Sequence, residues 1–284
     1  MSSQNSWYYN NHAIFQAVGP HMLPDLSMIR DGSVWKVGGG TPILARWVTD
    51  FDCGYETGFY ACILDEPFQP QELKAKRRYE ITRGRKNFSW RRLGVSDLDA
   101  MYDVYVESLE GYKNHSSLIS LEIFKRNWEK VLTDYGSVLL GVFERNDGLM
   151  CGFAHCIKHE RYIPISTLKT RVSKEKNGVN FALVDGICEY YSEDLKNGCY
   201  LCDGYRNLVH ETHFQDWLEK YFQFHKAYCV LHIKYRKPVG IGVKILYPFR
   251  GVLKKKSSGF VKKVNTILLM EEWKRQCNSA KDKH

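Results

Sequence analysis

No run of apolar residues in this chain of 284 approaches the ~18 that a membrane-spanning helix needs. No transmembrane segment is therefore expected. The first residues, MSSQNSWYYNNH, lack the basic-then-apolar layout of a secretion signal. There is no repeat at solenoid period, and no low-complexity segment beyond a lysine-rich tail. Cysteine is not dense: nine copies lie scattered among strand-like and helix-like segments. An odd, scattered set excludes a disulfide framework and points to reduced thiols in a cytoplasmic protein. Convincing metal spacing is also lacking. Cys199-x-x-Cys202 and His210-x-x-His213 supply four zinc-type ligands, but residues i and i+3 of a strand face opposite ways. Cys151 and Cys156, with His155 and His159, alternate across a hairpin strand in the same manner. No metal is expected.

What is present is apolar mass and positive charge. The chain is 44% hydrophobic and 14% aromatic, enough for a large core in one domain or two. Its net charge is +9, unevenly spread. Lys74–Arg92 holds nine basic residues against the single acid Glu80, and Lys254, Lys255, Lys256, Lys262 and Lys263 form a second cluster. Such patches suit phosphate-bearing partners; the alternative for each is a solvated face or tail.

The most legible stretch runs from Ser137 to Trp217. Ser137–Glu144 and Leu149–Ile157 are apolar runs joined by Arg145-Asn146-Asp147-Gly148, a hairpin signal. Tyr162–Thr170 reads as a third strand. Val179, Ala182, Leu183, Gly186, Ile187 and Tyr190 recur at helical spacing with one buried face, and Cys199–Gly204 returns as a strand. A strand–helix–strand crossover makes the third and fourth strands parallel. Ligands collect at the carboxyl ends of such strands, here Lys169-Thr170-Arg171 and Asp203-Gly204-Tyr205.

Before this stretch, Val34–Lys36, Ile43–Val48, Phe59–Leu64 and Phe88–Leu93 read as strands. A helix opens at Pro67 and Pro70 and runs to about Arg83. Two more helices follow, capped by Ser96 with Asp99 and by Ser120. After it, Thr212 caps a helix with Gln215 completing the box. Ala227–Tyr235 and Ile241–Tyr247 read as strands, and Thr266–Lys274 as a closing helix.

From Phe88 onward the order is strand, two helices, three meandering strands, helix, strand, helix, strand. This resembles the Gcn5-related N-acetyltransferase (GNAT) superfamily over roughly two-thirds of the chain. Two stretches, Arg77-Arg78-Tyr79-Glu80-Ile81-Thr82-Arg83-Gly84-Arg85-Lys86-Asn87-Phe88 and Asp203-Gly204-Tyr205-Arg206-Asn207 with Phe214-Gln215-Asp216-Trp217-Leu218, are similar to the Fem-like, envelope-associated branch. The resemblance implies an α+β fold, GNAT-like, with a mixed, mostly antiparallel central sheet flanked by helices and an N-terminal partial α/β extension. It implies three parts: residues 1–87, a strand and basic-helix extension akin to a partial first half; 88–250, the acyltransferase domain; and 251–284, a basic tail with a short helix.

The implied activity is N-acyl transfer from acetyl-CoA or another acyl-CoA to a primary amine, such as an amino sugar of surface polysaccharide. One departure bears on the donor. The family's [QR]-x-x-G-x-[GA] pyrophosphate loop is here Arg171–Asn180, with one glycine and the wrong spacing. Two alternatives therefore stand: an aminoacyl-tRNA-dependent Fem-type transferase on a cell-wall precursor, and a non-catalytic binding module on the same scaffold. The partners expected are a small-molecule or nucleotide-linked acceptor and, in the second reading, tRNA.

Acyl transfer needs a base for the acceptor, polarisation of the acyl carbonyl, an acid for the leaving group, and alignment. Asp203, Tyr205, His210 and His213 lie on or just after the fourth strand and are the acid–base candidates. Asp203 either titrates in an apolar setting or merely closes an Asp-Gly turn. By the resemblance, the backbone of Thr167, Leu168 and Lys169 polarises the carbonyl. Arg171, Lys176, Asn177, Gly178 and Val179 would hold the donor's anion at a helix start, where Gly178 lets backbone approach phosphate. Arg77, Arg78 and Arg83 are the candidate acceptor-binding residues.

Overall fold

The structure is a computed structural model and describes residues 6–110, 118–207, 213–254 and 259–284. Its elements begin with β1 (Trp7–Asn10), β2 (Ala13–Gln16), α1 (Ser27–Asp31), β3 (Leu44–Thr49), β4 (Tyr60–Leu64), α2 (Ala75–Asn87) and β5 (Phe88–Arg92). Next come α3 (Leu98–Glu110), α4 (Leu121–Thr133), β6 (Ser137–Glu144), β7 (Met150–Ile157) and β8 (Tyr162–Thr170). Then follow α5 (Val179–Tyr190), α6 (Ser192–Lys196), β9 (Tyr200–Tyr205), α7 (Phe214–Phe222), β10 (His225–Tyr228) and β11 (Val230–Tyr235). The last are α8 (Lys237–Leu246), α9 (Arg250–Leu253) and α10 (Gly259–Lys281). The chain divides into two units, one of Met1–Cys62, Tyr205–Thr212 and Lys226–His284, the other of Ile63–Gly204 and His213–His225. The expected boundary after residue 87 falls between α2 and β5, both inside the second unit.

In the second unit the sheet runs β9-β8-β7-β6-β5, antiparallel except between β8 and β9. The fold is thus α+β, with a mostly antiparallel sheet flanked by helices. The β6–β7 turn closes as its Asp-Gly step dictates: Gly148 takes φ +71°, and Asp147 accepts a bond from the Leu149 amide. Ser120 caps α4, accepting from the Ile123 amide. The cap before α3 differs from expectation, since Asp97, not Asp99, binds the Gly94 amide. Leu98, Met101 and Val104 of α3 and Phe124 of α4 pack on Leu139, Met150 and Phe153 of the sheet.

Helix α5 departs from its predicted single buried face. Eight of its twelve residues are buried. Helix α2 and strand β5 press onto its outer side through glycines. A Cβ at Gly186 would lie 2.7 Å from the Trp90 ring, and one at Gly84 would lie 3.0 Å from the Ala182 amide nitrogen.

In the first unit the sheet runs β1-β2-β3-β11. β1 and β2 form a hairpin whose turn residues Asn11 and His12 both have positive φ. β2 pairs with β3 in parallel, and β11 with β3 antiparallel. Leu44, Val48, Phe59, Val230 and Leu231 pack against Met270, Trp273 and Cys277 of α10.

Three expectations are corrected here. Val34–Lys36 lies in a 3-10 turn, not a strand. Ile241–Tyr247 belongs to α8 and the turn after it, because Pro238 starts a helix at its first turn. The basic tail holds a 23-residue helix with a buried face, not a short one. All nine cysteines are free thiols and eight are buried. Among the described residues no helix is long and apolar enough to cross a membrane.

Candidate active site

The crossover β8–α5–β9 sets the geometry of the second unit. Its parallel ladder is three residues long: Tyr162, Ile163 and Pro164 face Tyr200, Leu201 and Cys202. Beyond that point β8 continues six residues without β9. A bulge marks the parting. His155 of β7 pairs with Thr167 and Cys156 with Ile165, leaving Ser166 as the extra residue. Past this point the two strand ends are not paired with each other, one carrying Thr167–Arg171 and the other Asp203.

Asp203 stands one residue past the last rung. Burial pushes its carboxyl up to about 7, against a hydrogen bond from Gln215 that pulls the other way. Gln215 sits in the first turn of α7. That helix is held in place by its aromatic face: Trp217 and Tyr221 lie 4.9 and 5.0 Å from the ring of Phe181 on α5. Sequence reading had given Gln215 only a capping-box role. The following amide, Gly204, donates to the Cys202 sulfur. The carboxylate of Asp203 thus has a partner on α7, Gln215.

The other acid–base candidates separate. His213 is 91% exposed, with Nδ1 3.6 Å from Asp216, so it shares none of Asp203's burial. Tyr205 belongs to the first unit, its ring stacked on Phe59 at 5.5 Å. His210 and the expected cap Thr212 lie outside the described residues.

The end of β8 is closed by its own chain. Thr167, Leu168 and Lys169 pair with β7, and burial lowers the Lys169 amine from its usual range. Thr170 donates to Asn180 across the start of α5. Arg171 donates to the Met150 carbonyl and to Glu107 at 2.6 Å. Glu107 also accepts from the Ser173 amide and hydroxyl, and although burial opposes its ionisation these bonds hold it below the usual carboxylate range. Lys174 pairs with Glu144. Gly178 has φ +92°, and a Cβ there would lie 3.2 Å from the Gly84 nitrogen of α2. Asn87 of α2 donates to the Asn177 carbonyl. The helix start expected to hold a donor's anion is thus packed against α2, with Val179 buried and Lys176 exposed. Beside it, a cleft of about 920 Å³ lies between α3 (Tyr102, Asp103, Val106, Glu107) and Arg171, Val172 and Ser173.

The candidate acceptor arginines are dispersed in role. Arg83 pairs with Glu80, Arg78 donates to the Gln71 carbonyl, and Arg77 is half-buried. Neighbours Arg85 and Arg91 are held by Asp185 and Asp97. Sequence reasoning missed Glu107, Glu144 and Asp185, because nothing local marks a long-range carboxylate partner.

No protein-family model matches the chain, and no curated protein matches it in sequence. Solved structures match it in shape. L-PGS from Bacillus licheniformis is 12% identical and covers 88% of this chain and 85% of its own, at TM-score 0.53. The C-terminal domain of a putative lysylphosphatidylglycerol synthetase from Agrobacterium fabrum is 11% identical, covering 84% and 82%, at 0.49. The paia N-acetyltransferase from Thermoplasma acidophilum, in complex with coenzyme A, is 16% identical over 40% of this chain and 77% of its own, at 0.32. The chain has the fold of the first of these.

Proposed function

We propose that this protein is an acyltransferase that takes an aminoacyl group from an aminoacyl-tRNA ester and passes it to a hydroxyl or amine acceptor, with Asp203 as the proton carrier. The observation that carries the choice of donor is the closed end of β8. Arg171 and Lys174 already have carboxylate partners, and α2 fills the approach to Gly178. An acyl-CoA held through its pyrophosphate would have to displace both. An aminoacyl ester needs no such seat, and the whole-chain likeness in fold to L-PGS supports this reading.

In the proposed step the acceptor's N–H or O–H proton passes to the ionised carboxylate of Asp203 as the nucleophile adds to the ester carbonyl. The ester C–O bond then breaks, and the departing 3′-terminal hydroxyl of the tRNA takes the proton back. A carboxyl titrating near 7 can do both at neutral pH. The edge of β8 from Thr167 to Lys169 is where the carbonyl oxygen would find backbone donors.

A second reading, N-acyl transfer from acyl-CoA, is favoured by the bulge at Ser166 and the end of the β8–β9 ladder at Pro164, which leave the β8 backbone beyond it unpaired with β9. Calorimetry with a non-hydrolysable aminoacyl-tRNA analogue and with acetyl-CoA separates the two. Binding of the first alone is expected. Binding of acetyl-CoA alone would reverse the assignment, and binding of neither would leave a scaffold without this chemistry.

A further inference from the structure

The proposed transfer makes no use of the first unit's last third. Residues 220–270 contain no Asp or Glu, while 236–263 carry nine Lys or Arg. Within this anion-free stretch α8, a 3-10 turn and α9 follow one another. Val243 is their buried anchor. On the other side Ile241, Ile245, Phe249 and Val252 recur at spacings of four, four and three, one continuous stripe at helical period. These four side chains are 60%, 61%, 60% and 65% exposed, and Phe260 at the start of α10 is 78% exposed. Lys237 and Lys244 of α8, Lys254 after α9, and Lys262 and Lys263 of α10 are exposed as well.

Isolated exposed apolar residues are ordinary; an aligned stripe of them in a cationic setting is not. The chemistry of the face selects its occupant. A nucleic acid would use the lysines and leave Ile241, Ile245 and Phe249 in water. A second copy of the chain would press two cationic faces together. A surface that offers both anionic groups and an apolar layer beneath them satisfies both halves of the pattern, and that is the boundary of an anionic lipid bilayer. No described helix is long and apolar enough to cross a membrane, so the fit is to a helix lying in the interface.

We propose that the outward face of α8 and α9 docks this protein on anionic lipid bilayers, with Ile241, Ile245, Phe249 and Val252 entering the headgroup–acyl boundary and the lysines meeting lipid phosphates. The inference stands on the first unit alone and does not depend on the donor assigned above.

The test is flotation of the full chain with vesicles of phosphatidylcholine, and of phosphatidylcholine with about a third phosphatidylglycerol. Two exposed-site variants accompany the wild type, Ile245→Ser with Phe249→Ser, and Lys244→Ser with Lys254→Ser; unchanged circular dichroism and Tm certify their folding. Wild type is expected to float with the anionic vesicles only. The apolar variant should partition at least about tenfold less, and the lysine variant several-fold less with a shallower salt dependence. Three results would overturn the proposal. One is absence of wild-type flotation, and another is undiminished flotation of the apolar variant. The third is a wild-type dimer by light scattering that the apolar variant turns into a monomer, which would assign the stripe to a second copy.

Discussion

The two strand ends of the second unit's crossover answer the same topology in opposite ways. At the end of β8 the charges of Arg171 and Lys174 are met. Arg171 has Glu107, Lys174 has Glu144, and the start of α5 is packed against Gly84. At the end of β9 a single carboxylate is half-buried, with the Gln215 amide beside it and a pKa displaced upward. The first arrangement stabilises the fold and leaves little for a ligand. The second costs stability whenever the carboxylate is ionised, and so leaves a group whose reactivity is there to be used. Position in a sheet therefore nominates both ends, but electrostatic satisfaction distinguishes them.

The sharpest way to break this contrast is Asp203→Asn, which keeps the shape and a partner for Gln215 while removing the titration. Turnover should fall on the order of 10²-fold or more with KM little changed. The wild-type rate should rise with pH through an inflection near 7 as the base ionises, and this limb should vanish in the variant. Near-wild-type turnover would return Asp203 to a structural role.

The next effect belongs to the β8 end. Gly178→Val places a β-branched residue at φ +92° against the backbone of α2. The sequence placed Gly178 only as a point where backbone could approach a phosphate. The packing predicts a loss of about 2–3 kcal/mol in unfolding free energy, read from denaturant midpoints. A fully stable variant would mean that α2 yields there and that the seat can open.

The smallest effect sharpens the other side. The folded-state pKa of Asp203 lies above its unfolded value of ~3.9. The native state thus binds more protons than the unfolded state between about pH 4 and pH 7, and the Asp203 contribution to stability falls as pH rises through that window. Subtracting the pH–stability curve of Asp203→Asn from that of wild type should expose a decline on the order of 1 kcal/mol or more across it. A flat difference would show that the carboxyl is solvated.

Much of the second unit was legible because its signals are local. The Asp-Gly step, the Ser120 cap and the apolar runs each state their structure within a few residues, and the parallel crossover follows from chain connectivity. The losses occur where distant residues decide. Gln215 read as half of a capping box, and nothing near it in sequence announced its bond to Asp203. Ile241-Gly242-Val243-Lys244-Ile245 alternates as a strand would, and only Pro238 hinted at the helix that formed. The β1–β2 hairpin was hidden because Asn11-His12 turns without glycine. The basic segment around α2 drew attention by its density, yet Asp185, Asp97 and Glu80 hold three of its arginines. Density of charge in sequence is not availability of charge in space.

The extra residue in β8 sets a phase. Paired residues on adjacent strands share a face, so Ile165 sides with Cys156 and Thr167 with its neighbour His155, which faces the other way. Two positions apart, Ile165 and Thr167 ought to point together; Ser166 makes them point apart. Everything from Thr167 to Thr170 is therefore read half a period out of step with the strand that precedes it. Were Ser166 to enter the ladder as an ordinary rung, the half-buried amine of Lys169 would turn to the opposite side of the sheet; deleting Ser166 should restore plain alternation and leave Lys169 on its present side. By standing outside the ladder, one serine without chemistry of its own keeps that lysine on its side of the layer.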